Sequence, residues 1–202
     1  MSLPPDAIVW AFDGRGDTKS LLRRIVFTFS CELEQLMPPS ACREFADPLA
    51  ALMADEQFSA LAKLESPELR RLFPRPVPQE FDGDSSAWEE MVRSRSVALH
   101  EASSVVLRAL LHEGPVVQVA ERDFDCWLQV LGANRAMLTA ELTGSPERLV
   151  QPTPEQASAD RPMAVLLDWL AYLIEVMIES RNECVRAGEG LNPEMWADLE
   201  DE

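Results

Sequence analysis

The stretch Val116–Leu142, VVQVAERDFDCWLQVLGANRAMLTAEL, decides the fold. Val116, Val117 and Val119 read as a short strand. A helix then runs from about Arg122 to Leu142 and is closed by Gly144. At helical spacing, Phe124, Trp127, Leu128, Leu131, Leu138 and Leu142 form one apolar stripe, and Cys126, Val130, Ala133 and Met137 form a second. A helix apolar on two faces has neighbours on two sides, so this one belongs in the middle of the molecule.

Working outward, Ile8–Phe12 repeats the pattern of a short apolar run before a long amphipathic helix. Two strands alone are marginal, but backed by helices they are stable. The two runs are therefore expected to pair as a small ribbon. Asp17 precedes a helix of about Thr18 to Met37, stopped by Pro38-Pro39. Asp47-Pro48 and Ser66-Pro67 each place a cap before a first-turn proline and open short helices, with a third expected over Asp55–Leu64. The proline-rich loop 74–86 follows. Ser86 and Glu89 have capping-box spacing and open a helix that reaches Gly114. Residues 145–160 read as a loop, and a last helix runs from about Pro162 to Ala187, closed by Gly188. The expected fold is mainly α, one helical domain over 1–188 with four long helices, several short ones and a two-stranded β ribbon. The tail 189–202 carries six acids and no base and reads as flexible.

The formal net charge is −17, from 35 acidic and 18 basic residues. A field of that sign repels phosphate backbones, so direct nucleic-acid binding is not expected. The four cysteines form no CxxC pair, the N-terminus lacks a signal-peptide pattern, and the most apolar run is broken by Asp168 and Glu175. These features read as a cytoplasmic protein with reduced thiols and no membrane contact.

Three stretches carry a resemblance: Trp127-Leu128 to Leu142 with the central Arg135, the run Asp168-Trp169-Leu170-Ala171-Tyr172-Leu173, and the strand-then-helix opening Ile8–Leu36. Together they resemble the actinobacterial domain of unknown function number two thousand and seventeen. Gly132-Ala133 stands where that pattern has an Asn-Asp pair, and Glu141 where it has a second arginine. The resemblance implies a mainly helical cytoplasmic protein and supplies no catalytic residues.

Arg135 falls inside the first apolar stripe, and Arg95 interrupts that of Trp88, Met91, Val92 and Leu99. A guanidinium on an apolar face is costly unless its donors are satisfied. The expected arrangement is a structural ion pair with Asp168 or Glu175; the alternative is that both arginines converge on an exchangeable anion. Cys31 and Cys42 are the thiols expected to be accessible, either as unrelated thiols or as a reversible disulfide. Cys126 and Cys184 read as core. Arg70, Arg71 and Arg75 read as a solvated helix end. His100-Glu101 is followed by Ser104, so the HExxH pattern fails at its last position, and no P-loop, GxSxG or GxGxxG is present. Met195, Trp196 and Leu199 lie at helical spacing within acid, a pattern suited to docking a partner groove or to packing back on the core.

These readings point to a non-enzymatic regulatory or adaptor protein without cofactor or metal, acting through contacts with a protein partner, with a homodimer compatible with the two-faced helix. The alternative is a redox-responsive transcription regulator switched by its cysteines.

Overall fold

The ribbon forms as expected and ties the two ends of the chain to its middle. In the computed structural model, which describes residues 3–42, 44, 46–76 and 85–196, β1 (Ile8–Asp13) pairs antiparallel with β2 (Val116–Ala120). Trp10 faces Val119 and Phe12 faces Val117, with a bulge between Ile8 and Trp10. The extra residue, Val9, is fully buried, and its carbonyl accepts a 2.6 Å hydrogen bond from Ser180 Oγ.

The helices are α1 (Thr18–Glu34), α2 (Pro39–Cys42), α3 (Pro48–Gln57), α4 (Pro67–Leu72), α5 (Ser86–Leu111), α6 (Glu121–Thr143), α7 (Pro154–Ala159) and α8 (Arg161–Ala187). The central helix α6 contacts α1, α4, α5, α7, α8 and both strands, so its two apolar faces are both covered within one chain. Trp127 is fully buried and stands edge-on to Trp10, with ring centroids 5.7 Å apart, and to Phe12 at 6.2 Å. Residue Ala120 supplies no side-chain cap to α6. Instead Glu121 N–H donates to the Ala7 carbonyl and Arg122 N–H to the Pro5 carbonyl, each at 2.9 Å, which satisfies donors that a helix start otherwise leaves open.

Several local expectations are corrected. The helix read at 47–53 runs on as α3 to Gln57, and the separate helix read at 55–64 does not start at Asp55. Its carboxylate accepts from Ser40 N–H at 3.0 Å and from Ser40 Oγ, and these bonds hold it below the usual carboxylate range. A 3-10 turn, Leu61–Lys63, follows. The cap of α5 is Ser85, one residue earlier than the Ser86–Glu89 spacing implies. The Glu89 carboxylate accepts from Ala60 N–H, 29 residues away. Within 145–160, α7 carries a complete capping box between Thr153 and Gln156. Of the proline-rich loop, residues 77–84 lie outside the described residues.

The tail is also tied down over its described part. Leu191 N–H donates to the Ile8 carbonyl at 2.7 Å, and Trp196 is 6% exposed. Gly190 lies directly against β1: a Cβ there would stand 2.9 Å from the Ile8 carbonyl oxygen and 3.1 Å from Ile8 N. Those neighbours are backbone and cannot swing away. Gly190→Ala is expected to cost about 1–3 kcal/mol, the usual range for overpacking, and to lift Trp196 from the core. Limited proteolysis should then cleave the tail several-fold faster than in the parent, and unchanged cleavage would count against the clamp.

Candidate functional site

Small residues on α6 open a groove beside it. Gly132, Ala133 and Ala136 on α6 face Ala98 and Leu99 on α5 and Leu72 at the end of α4. Short side chains on both facing helices leave a cavity of about 480 Å³, within the range of small-molecule sites. A Cβ built on Gly132 would meet no neighbouring atom within 4 Å, so space lies directly over the helix backbone there.

Charge collects around this opening. Arg71, Arg95 and Arg148 line it, and no carboxylate does. Arg71 is 6% exposed. Its guanidinium donates to three carbonyls of the loop after α6: Nη1 to Glu147 at 2.6 Å and to Val150 at 3.1 Å, and Nη2 to Arg148 at 3.0 Å. This binding fixes the loop and sets Arg148 at the rim. Burial pushes the Arg71 pKa down, and the nearby positive charges of Arg135 and Arg148 push it further the same way. Arg135 is thus a fourth cation, close enough to Arg71 to act on its charge but not part of the cavity lining. Among the described residues, the guanidiniums of Arg95, Arg135 and Arg148 enter no ion pair and no hydrogen bond.

The burial expected for Arg135 and Arg95 is therefore corrected. Both are exposed, as are Asp168 and Glu175, and neither acid pairs with either arginine. The reason is lateral. The apolar stripe is wide enough on a helical wheel to include Arg135, but the cover over it stops at the small-residue groove. An ion pair that joins α6 to α8 uses other residues: Arg181 Nε donates to Glu121 Oε2 at 2.8 Å, and the Arg181 guanidinium lies 4.8 Å from the centre of the Phe124 ring. Arg71, read as part of a solvated helix end, is buried, and Arg148 was not singled out at all. No periodic signal could have found them, because the carbonyls that hold Arg71 lie 76 to 79 residues further on.

The remaining candidates separate. Cys31 is partly exposed and Cys42 exposed, Cys126 is partly exposed and Cys184 buried, and none of the four forms a disulfide. Met195 is 72% exposed while Trp196 packs inward, so the two do not share a docking face; Leu199 lies outside the described residues. His100 Nε2 lies 3.3 Å from Glu34 Oε1 of α1, an ordinary surface contact between neighbouring helices. Among the described residues no group of three or more His, Cys, Asp or Glu could hold a metal, and no helix is long and apolar enough to cross a membrane.

A second opening, of about 950 Å³, lies between α1 and α5. Phe27 and Leu111, each 60% exposed, line it with Leu107, and Arg23 and Arg24 stand at its rim with Asp17.

Fold and groove together define a mainly α single-domain protein with a basic cleft along its central helix. The family model described as Domain of unknown function (DUF2017) matches residues 8–180, and the chain belongs to that family. No curated protein and no solved structure matches it.

Proposed function

We propose that this is a non-enzymatic regulatory or adaptor protein that works through protein contacts. The observation that carries the reading is the exposed apolar opening between α1 and α5, where Phe27 and Leu111 stand in water beside Arg23 and Arg24. Large apolar side chains clustered at a cleft mark interaction surfaces. The rim favours an amphipathic helix that carries acids beside its apolar anchors. We place this role in an actinobacterial cytoplasm, where thiols such as those of Cys31 and Cys42 stay reduced.

A photo-crosslinking residue at position 27 or 111 tests the reading in cells that make the protein. A discrete adduct at these positions, absent when the crosslinker replaces Tyr172 on α8, supports it. An adduct of twice the chain mass identifies a homodimer instead. Adducts confined to position 172 would move the contact to α8 and overturn the assignment. Cys31 and Cys42 favour a second reading, a redox-responsive regulator, because both thiols are at least partly accessible. That reading predicts that mild peroxide oxidises the Cys31 and Cys42 thiols together, and full retention of both as thiols sinks it.

A further inference from the structure

We propose that the groove between α4, α5 and α6 is a binding site for a small organic phosphate, such as a nucleoside diphosphate. The inference does not depend on the protein contact proposed above, since it concerns a different face of the molecule.

Charge carries it first. In a chain with 35 acidic and 18 basic residues, three arginines, Arg71, Arg95 and Arg148, line one cavity, and the charge of a fourth, Arg135, acts on Arg71 from nearby. Arg95, Arg135 and Arg148 have no carboxylate or carbonyl partner among the described residues. Guanidiniums set together without counter-charge repel one another, and an anion seated between them removes that cost. Their planar forks match phosphate oxygens two at a time. Arg71 plays a different part, because its donors are already engaged by the loop carbonyls. It contributes positive potential and holds Arg148 in place, while Arg95 and Arg148 on the cavity wall supply the contacts and Arg135 adds positive charge from beside it.

Shape carries it second. The floor is apolar, formed by Leu72, Leu99 and the open face of Gly132. A bare inorganic ion has no use for that surface, whereas a flat ring or short hydrocarbon fits over the bare backbone at Gly132. The size of the cavity admits a small molecule and not a folded partner. The acidic character of the whole chain argues against an extended nucleic acid. Its far-field repulsion is screened over about 8 Å at physiological salt, so a small anion in the groove senses chiefly the arginines.

The test is calorimetric titration and thermal melting of the full chain with ADP, pyrophosphate, adenosine, sulfate and a polyglutamate peptide. ADP is expected to bind and raise the melting temperature, with pyrophosphate weaker and adenosine and sulfate inert. Arg95→Gln and Arg148→Gln, both at exposed positions on the cavity wall, should each weaken ADP by about tenfold, the usual effect of losing a charged fork, and Arg135→Gln, which removes only a nearby charge, should weaken it less. Gly132→Leu fills the floor without meeting any atom within 4 Å at its Cβ. It should weaken ADP strongly and leave pyrophosphate near the parent value, a split that no general loss of folding produces. Three results overturn the proposal: no binding by ADP or pyrophosphate below about 1 mM, beyond the range of small-ligand sites; equal stabilisation by every anion, sulfate included; or binding of polyglutamate in preference to both phosphates, which would make the groove a peptide site.

Discussion

Trp127→Ala is expected to lower the unfolding free energy by about 3–5 kcal/mol, the range for truncating a buried aromatic. Trp127 is fully buried on the central helix, and its ring meets Trp10 and Phe12 of β1 edge-on. Those three rings are where the N-terminal strand is pinned to the middle of the chain. Truncation leaves a large void and removes the aromatic contacts, each of which adds about 0.5–1.5 kcal/mol beyond burial. A second variant gives the expectation its shape. The Trp127 indole N–H is buried and finds no hydrogen-bond partner among the described residues. Trp127→Phe removes that unsatisfied donor along with some volume, and the two effects oppose each other. It should therefore cost far less than Trp127→Ala. Urea unfolding followed by circular dichroism measures both, and equal losses for the two variants would show that ring packing is not what holds the ribbon down.

Arg71→Ala is the second large effect, with an expected loss of about 2–3 kcal/mol, the worth of one or two hydrogen bonds to a charged group. The side chain is buried, and it donates to the carbonyls of Glu147, Arg148 and Val150. The figure stays below the sum over three bonds for two reasons. The loop carbonyls can turn to water once released, and removing a buried cation relieves the repulsion from Arg135 and Arg148. Arg71→Lys keeps the charge but offers a single ammonium in place of a fork, so it should recover only part of the loss. Protease nicking between residues 145 and 153 reports the loop directly and should rise in both variants, more in Ala than in Lys. A loop that stays resistant in Arg71→Ala would show that other contacts order it.

The sequence was most legible where the signal is local. Proline after a cap residue marks a helix start because the ring presets the first turn and the cap oxygen takes a free N–H. Asp47 and Ser66 do accept from Leu49 and Leu69 N–H. Glycine after the last apolar residue marks a helix end because it adopts a left-handed backbone at little cost, as Gly144 and Gly188 do. The run 145–160 is a loop as far as Thr153 but turns into the short helix α7 at Pro154, because proline and polar residues suit a loop and a short capped helix equally well. The proposed site was legible only in part. Arg95 and Arg135 stood out as charges on apolar faces, and the possibility that they converge on an anion came from that oddity alone.

By itself, then, the sequence determined that the protein is mainly α, that its middle helix is covered on two sides, and that two short strands join beginning and middle. Those features follow from residue periodicity and end signals, which are properties of neighbouring residues. Only the tertiary structure decided which arginine is buried and which are left in water, that Arg148 joins them, and that Trp196 packs inward. The physical reason is that a helical wheel reports the direction a side chain takes from its own axis. Whether another helix stands there, and how closely it approaches, depends on side-chain size across the gap. On α6 the small residues Gly132, Ala133 and Ala136 left that gap open.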